Sequence, residues 1–457
     1  VKEAVFEGAT VIGAGAAGLA VAHALVKAGV AVQIIEKEDV LGEPWRRRHK
    51  HLHLNSHRDL STLPGVAYPE GTPAFPSKHA VIRHLKEFTD THRLPVEAGV
   101  AVDEIMFNGD HWAVQTNTGF RLTRHVVVAT GRDRQPYIPE WKGTMEFTGR
   151  IIHSADFGDA KDYVGKKVLV VGAGNSGFDA LNHLAGVNAT RIWLSARTAP
   201  AILPKRIGKI AVHRLSPIIA RLPLWLADAV ITGLQRIAFG DLRRLGMAVP
   251  SSGGVSRLAS ENIAIATDDG AVHAIKNGKI IVLPTVREFT RDSVILADGS
   301  SVYPDVVIAA TGYRPGLEHL VGKLGVLDGR GVPLFNSGMT DPKLPGLWFT
   351  GMRPNIRGCF ANARIQAHAI AAKIRKLGPQ PRRLNRTTKF VALKGLCRVP
   401  GRYMNSLARL DQFEPIPEFL GETRCTVACS GKAAAPFRSV HRKSGDDDVA
   451  PALQGSS

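Results

Sequence analysis

Residues Val11 to Glu36 read VIGAGAAGLAVAHALVKAGVAVQIIE: an apolar run, a glycine loop, a helix-forming stretch, a second apolar run and a terminal acid. In a strand, loop, helix, strand setting each glycine has its own task. Gly13 makes the tight turn and Gly15, after Ala14, lets the backbone approach a pyrophosphate. Gly18 lets the helix pack closely on the strand, and the helix N-terminus offers unpaired N–H groups to phosphate oxygens. Glu36, followed by Lys37, sits where a ribose diol needs an acceptor. The stretch predicts a Rossmann-type nucleotide pocket in an α/β protein.

The pattern returns at Val168 to Gly177, VLVVGAGNSG, with Gly172, Gly174 and Gly177 in the same places, Asn175 and Ser176 between the last two, and a helix following from Phe178. Here the second strand, Arg191 to Leu194, ends in Ser195-Ala196-Arg197 instead of an acid. A carboxylate would repel a 2′-phosphate, whereas a hydroxyl and a guanidinium would bind it, so this loop reads as an NADP site. Each module also has a buried strand ending in Ala-Thr-Gly. The first is Val126 to Gly131, with Thr130 and Gly131 at its ligand end; the second is Val306 to Gly312, with Thr311 and Gly312. The chain is an imperfect internal repeat.

Two dinucleotides, one with an acid for an unphosphorylated ribose and one with a basic 2′-phosphate pocket, mean FAD and NADPH. The expected fold is α/β with two Rossmann-like dinucleotide-binding domains. Residues 1–160 and 305–378 form the FAD-binding domain and 161–304 an inserted NADPH-binding domain. The chain returns near Asp305 to complete the first sheet, and both sheets are open and parallel with right-handed crossovers. Helices are expected over Lys78 to Glu87 and Ala361 to Lys376, and a hairpin in Phe107 to Arg121 turning at Asn117-Thr118-Gly119. Gly351 closes a further short apolar run from Leu347. From Pro379 the chain turns Pro-, Arg- and Ser-rich, which predicts a poorly ordered basic extension over 379–457.

Composition narrows the chemistry. The 457 residues carry a formal charge of +19, which fits nucleic acid, a membrane surface or an anionic cofactor. The extension holds thirteen Lys or Arg against seven Asp or Glu, so most of the excess lies in the globular part and no nucleic-acid partner is expected. The four cysteines are Cys359, Cys397, Cys425 and Cys429. That is neither a disulfide framework nor a zinc spacing, and no metal is expected. A disulfide reductase needs a cysteine pair early in the chain, beside its flavin, so the electrons go instead to dioxygen, a quinone or a partner redox protein. No charged segment with a cleavage site precedes the first loop, which leads to a cytoplasmic expectation. Ile207 to Phe239 is too broken by Arg214, Pro217, Arg221, Pro223 and Asp228 for a membrane span and reads as short amphipathic helices.

The loop GEPWRRRHKHLHLNSHRD, Gly42 to Asp59, reads equally as a solvated face or as the flank of an anionic cofactor. Trp45 is equally a core residue or a lid over a flat ring, and Asn55 and Ser56 are ordinary loop residues on their own.

Between the modules lies FTGRIIHSADF, Phe147 to Phe157. It resembles the FxGxxxH-xxx-[Y/F] fingerprint of the flavin-containing monooxygenases, a resemblance that covers about Val11 to Lys376. The segments LPLWLAD (Leu222 to Asp228), IKNGKI (Ile275 to Ile280) and ATGYR (Ala310 to Arg314) are similar to the plant YUCCA-type branch, which decarboxylates indole-3-pyruvate oxidatively. Phe157 replaces the Trp of Baeyer–Villiger enzymes, Glu43-Pro44 replaces a second glycine, and Asn55-Ser56 resembles the animal-type enzymes.

The resemblance implies an NADPH-consuming flavin monooxygenase using dioxygen on a small organic substrate through a flavin C4a-(hydro)peroxide. Oxygen would go to an amine or sulfide, or to the carbonyl of a 2-oxo acid. It implies Asn55 as a catalytic hydrogen-bond donor at the flavin edge and His153 as a structural residue at the domain junction. A homodimer is left open. Two other readings stand beside it: an NADPH oxidase or quinone reductase that oxygenates nothing, and a non-catalytic dinucleotide sensor with a basic binding tail.

Overall fold

A computed structural model describes residues 5–198, 201–248 and 252–378. The chain divides into two compact units, Val1–Arg382 and Arg383–Ser457; the second, and with it the predicted extension from Pro379, lies outside the described residues.

The first sheet is built on the opening motif. Strand Phe6–Ile12 pairs in parallel with Val32–Ile35 on one side and with Gly119–Val128 on the other. Val96–Glu97 extends one edge, and Leu347–Phe349 joins Gly119–Val128, both in parallel. Residues at alternate positions go to opposite faces: Val11, Val127 and Trp348 face a core shared with the first-loop helix Ala16–Lys27, whereas Ile12, Val126, Val128 and Phe349 face a second core. Burial on both faces is what makes these strands unbroken apolar runs.

The sheet is mixed rather than purely parallel. Val102–Phe107, Trp112–Thr116 and Gly119–Val128 are antiparallel neighbours, and Asn117-Thr118 turns the last two as the alternation predicts. The hairpin arm and the buried VVV segment, read separately in the sequence, are one ten-residue strand.

The second sheet is parallel throughout, in the order Ile280–Leu283, Arg191–Ser195, Lys167–Val171, Val306–Ala309, Arg150–His153. Its membership moves the expected boundaries. Strand Arg150–His153 belongs to it, although the sequence reading left residues up to 160 in the first domain. Strand Val306–Ala309 sits inside it, so the chain does not return to the first sheet near Asp305; it returns at Leu347–Phe349. The reason is register. Val306–Ala309 is the repeat's counterpart of Val126–Val128 and pairs with the strand leading into its own glycine loop.

Three helices cover the first sheet. Lys78–Thr91 starts at Ser77, whose hydroxyl accepts from the Ala80 N–H at 3.3 Å, and buries Val81, Leu85 and Phe88 on one face. Cys359–Leu377 lays Ala363, Ala367, Ile370 and Ile374 against the core that holds the first-loop helix. The broken apolar region forms Ser216–Ile219 and Leu224–Phe239. Among the described residues no helix is long and apolar enough to cross a membrane.

Four imidazoles make this fold acid-sensitive. Burial pushes His23, His84, His125 and His213 down from 6.5 to about 4. Nε2 of His84 accepts the Leu63 N–H at 2.8 Å, a bond that needs the neutral ring. Unfolded, these groups take up a proton near pH 6.5; folded, only near 4. Between those values the unfolded chain binds more protons, so stability is fully present above pH 6.5 and falls as the pH drops through the window. The thermal midpoint should decrease between pH 6.5 and 4, with a shallower slope in His84→Gln; equal slopes in the two proteins would remove His84 from the explanation.

Candidate functional site

Both glycine loops line one continuous cleft of about 1830 Å³. That exceeds the roughly 300–1,000 Å³ of a pocket for one drug-sized ligand. Of the predicted site residues, Gly13, Ala14, Gly15, Glu36, Lys37, Trp45, Asn55, Thr130 and Gly131 line it from the first module. Gly172, Gly174, Asn175, Ser176, Ser195, Arg197, Thr311 and Gly312 do so from the second, together with Gly351.

Gly18 and Gly177 do not line the cleft. A Cβ on Gly18 would lie 1.9 Å from the Gly13 carbonyl oxygen, and one on Gly177 would lie 1.9 Å from that of Gly172. These two are packing positions, as the motif's third glycine requires. Gly15 and Gly174 are the opposite case, with nothing within 4 Å of a Cβ. They cap the helices Ala16–Lys27 and Asn175–Leu184, neither of which has a side-chain cap or an acid in its first turn. Two bare helix N-termini therefore face the cleft, each suited to a phosphate.

The two strand ends differ as the sequence suggests, with one change. Glu36 is held by backbone: Oε2 accepts the Ala14 N–H at 2.7 Å and Oε1 that of Glu38 at 3.1 Å. Its carboxylate is thus tied to the glycine loop and still lines the cleft. Ser195 has no exposed surface, and its hydroxyl donates to the Pro284 carbonyl at 2.7 Å. That corrects its reading as a 2′-phosphate ligand: the hydroxyl is spent joining neighbouring strands. The exposed Arg197 is left as the basic group at this end.

The remaining predicted residues divide by their partners. Thr130 Oγ1 is buried with no hydrogen-bond partner, a polar atom placed for a bound group. Thr311 Oγ1 instead donates to the Tyr137 carbonyl at 2.5 Å, and the Gly351 N–H donates to Gln366 Oε1 at 2.9 Å. Trp45 is half-buried against the first core on the short helix Glu43–Arg46 and also lines the cleft. Lys37 pairs with Glu38 at 3.0 Å.

Asn55 bridges the modules. Its Nδ2 donates to Asn175 Oδ1 at 3.0 Å; that oxygen also accepts the Thr267 N–H at 3.1 Å, while Asn175 Nδ2 donates to the Ile265 carbonyl at 3.0 Å. The carboxamide of Asn55 is therefore fixed in orientation by the second loop. His153 uses both ring nitrogens: Nδ1 accepts the Ala155 N–H at 3.0 Å, so Nε2 carries the proton and donates to the Gly312 carbonyl at 2.9 Å. It ties the fingerprint segment to the second Ala-Thr-Gly strand end, which is a structural role.

Sequence reasoning missed the division of labour in the basic run. Arg46 donates to the Leu41 carbonyl at 2.6 Å and Arg47 pairs with Glu38 at 2.5 Å, both on the surface. Arg48 turns inward, stacks 4.6 Å from the Tyr313 ring centroid and bonds its hydroxyl. Three adjacent arginines carry no signal of which one will be inside; only the fold assigns it.

The contrast between glycines gives a direct test. Gly15→Ala and Gly174→Ala should leave the thermal midpoint within the change expected of about 0.5 kcal/mol, whereas Gly18→Ala and Gly177→Ala should cost about 1–3 kcal/mol through backbone overlap. Equal midpoints across the four variants would contradict this packing.

A family model described as pyridine nucleotide-disulphide oxidoreductase matches residues 10–206. The chain is 31% identical over 316 residues to a protein from Arabidopsis thaliana named probable indole-3-pyruvate monooxygenase YUCCA9, covering 67% of this chain and 75% of that one. It is 32% identical over 326 residues to indole-3-pyruvate monooxygenase YUCCA4 of Oryza sativa subsp. japonica, covering 67% and 74%. Among solved structures it is similar in fold to a flavin-containing monooxygenase from Stenotrophomonas maltophilia. The TM-score there is 0.62 at 23% identity, over 81% of this chain and all of that one. The disulfide-reductase description extends to the nucleotide fold, and Cys359 is the only cysteine among the described residues. The paired loops, the fingerprint tied by His153 to the second Ala-Thr-Gly strand end and these relatives place the chain in the flavin-containing monooxygenase family, as an oxidoreductase related to the YUCCA-type enzymes.

Proposed function

We propose that this chain is an FAD- and NADPH-dependent monooxygenase in which the first loop holds FAD and the second holds NADPH. The observation that carries the assignment is the difference between two strand ends around one cleft: Glu36 follows Ile35 in one module, whereas Ala196 and then Arg197 follow its counterpart Ser195 in the other, which has no acid there. An acid there accepts from an unphosphorylated ribose and repels a 2′-phosphate; a guanidinium does the reverse. The FAD domain then comprises the first sheet and its helices, and the NADPH domain is the insertion carrying the second sheet.

Bound FAD would supply electron transfer from nicotinamide and the activation of dioxygen. The chain's own residues hold and orient. The open Cα of Gly15 and the first helix N-terminus fit a pyrophosphate, Glu36 a ribose, and the unpartnered Thr130 hydroxyl a further polar atom of the same ligand. Asn55 keeps one amide hydrogen and its oxygen for the reaction space, since its other amide hydrogen is committed to Asn175. A hydrogen bond from it to the reacting centre would have its direction set by the second loop.

For the substrate we propose a small 2-oxo acid of the indole-3-pyruvate kind. The support is the names of the relatives, together with a cleft lined by Arg132, Arg330 and Arg353, which suits a carboxylate. Amines and sulfides form the comparison set.

The test is initial-rate kinetics with product analysis on flavin-loaded protein. Arg197→Ala should raise the KM for NADPH about tenfold, the worth of one charge-assisted hydrogen bond, and leave that for NADH unchanged. Asn55→Ala should keep NADPH oxidation but lower product per NADPH. NADPH oxidation by the unaltered protein without an oxygenated product from any 2-oxo acid, amine or sulfide would favour an oxidase instead.

A further inference from the structure

The seam between the basic loop and the second-loop helix contains a side-chain cluster at the edge of the cleft, which His49 and Asp179 also line. Asp179 and His183 stand one turn apart on the helix Asn175–Leu184, so they share a face. His49 reaches them from the loop of the first module, with its side chain 6% exposed. Its Nε2 lies 2.7 Å from Asp179 Oδ2, and His183 Nε2 lies 3.7 Å from Asp179 Oδ1. One donor atom from each of the three residues falls within 4.8 Å of the others.

We propose that His49, Asp179 and His183 bind a divalent transition-metal ion of the zinc class, which clamps the basic loop to the second-loop helix.

A hydrogen bond from His49 to Asp179 is by itself enough to pin the loop. It does not engage the second imidazole, whose Nε2 stands 3.7 Å from the same carboxylate, beyond hydrogen-bond range. Four-coordinate zinc, with bonds of about 2.0–2.1 Å, keeps its ligand atoms about 3.3 Å apart. One donor atom of each residue already lies within 4.8 Å of the others, so side-chain shifts of about 1–2 Å would bring the three to that spacing on one ion. The carboxylate already presents one oxygen to each ring.

The surroundings favour ligation. The His49 and His183 ring centroids are 5.2 Å apart; His51, 5.8 Å from His183, has its Nε2 3.4 Å from Asp159, so a water would take the fourth place. Two imidazoles around one carboxylate repel when protonated and ligate when neutral. Phe157 meets the His49 ring edge-on at 5.6 Å and limits its rotation. Two imidazoles and a carboxylate select zinc, cobalt, nickel or copper over magnesium or calcium, which take oxygen ligands. His49 Nδ1 is buried without a partner. The outer hydrogen bond that strengthens most ligating histidines is missing, so binding is weaker than at a closed four-ligand site.

The experiment uses the purified full-length chain, stripped with chelator and titrated with Zn²⁺ by calorimetry and with Co²⁺ by visible absorption. One ion per chain should bind in the tightest phase, with the intense bands of four-coordinate cobalt. His183→Ala and Asp179→Asn should each lower the affinity at least about tenfold, and His53→Ala, an exposed residue of the same loop, should leave it unchanged. Flavin absorbance and thermal midpoint show whether each variant is folded, and either folded variant suffices. Absence of saturable binding would overturn the proposal. So would binding that persists undiminished in both variants, as it would if the ion sat on Cys425 and Cys429.

Discussion

The structure depends on one close approach, made twice. In each module the glycine loop, the helix after it and the Ala-Thr-Gly strand end meet with no room for a Cβ. Gly18 meets the Gly13 carbonyl and Gly177 that of Gly172, while a Cβ on Gly13 would lie 2.8 Å from the Ala129 oxygen and one on Gly172 2.4 Å from that of Ala310. The same backbone bonds recur: Gly13 donates to Ile35 as Gly172 does to Ser195, and Ala129 donates to Ile12 as Ala310 does to Val171. Because the crossing is tight, the helix N-terminus is brought up to the strand ends, and its free N–H groups face the cleft. Phosphate binding is thus a consequence of packing that the fold needs in any case.

Each crossing alone makes one nucleotide pocket; joining two makes a site where one ligand can react with the other. The joints include polar ones beside the loops. Asn55 reaches Asn175, and Arg48 reaches Tyr313. Each is worth on the order of 1 kcal/mol. They act less as a source of stability than as fixed angles, since every one ends at a residue beside a glycine loop or an Ala-Thr-Gly strand end.

Much of this was legible in the sequence because backbone constraints select residue types. Only glycine fits at positions 18 and 177, so the repeat announces both crossings, and Glu36 announces the acid held at the first loop. What was not legible depended on pairing at long range. That Val306–Ala309 closes the second sheet, and that the first is completed only at Leu347–Phe349, follows from neighbours more than a hundred residues away. Ser195 looked like a ligand because it lies near the strand end, but it is the counterpart of Ile35 inside the strand, and the Pro284 carbonyl that its hydroxyl meets lies just past the neighbouring strand Ile280–Leu283. The histidines at 49 and 183 gave no signal at all, being 134 positions apart in the sequence and joined only by the folding of the loop onto the helix.

The central claim is that the two nucleotides cooperate to place one atom of dioxygen in a small substrate. The most direct measurement is isotope-labelled dioxygen with NADPH and indole-3-pyruvate, following the label by mass spectrometry. The account predicts one labelled oxygen atom in the carboxylate product for each NADPH consumed. Label recovered only in hydrogen peroxide or water, with the 2-oxo acid unchanged, would contradict it.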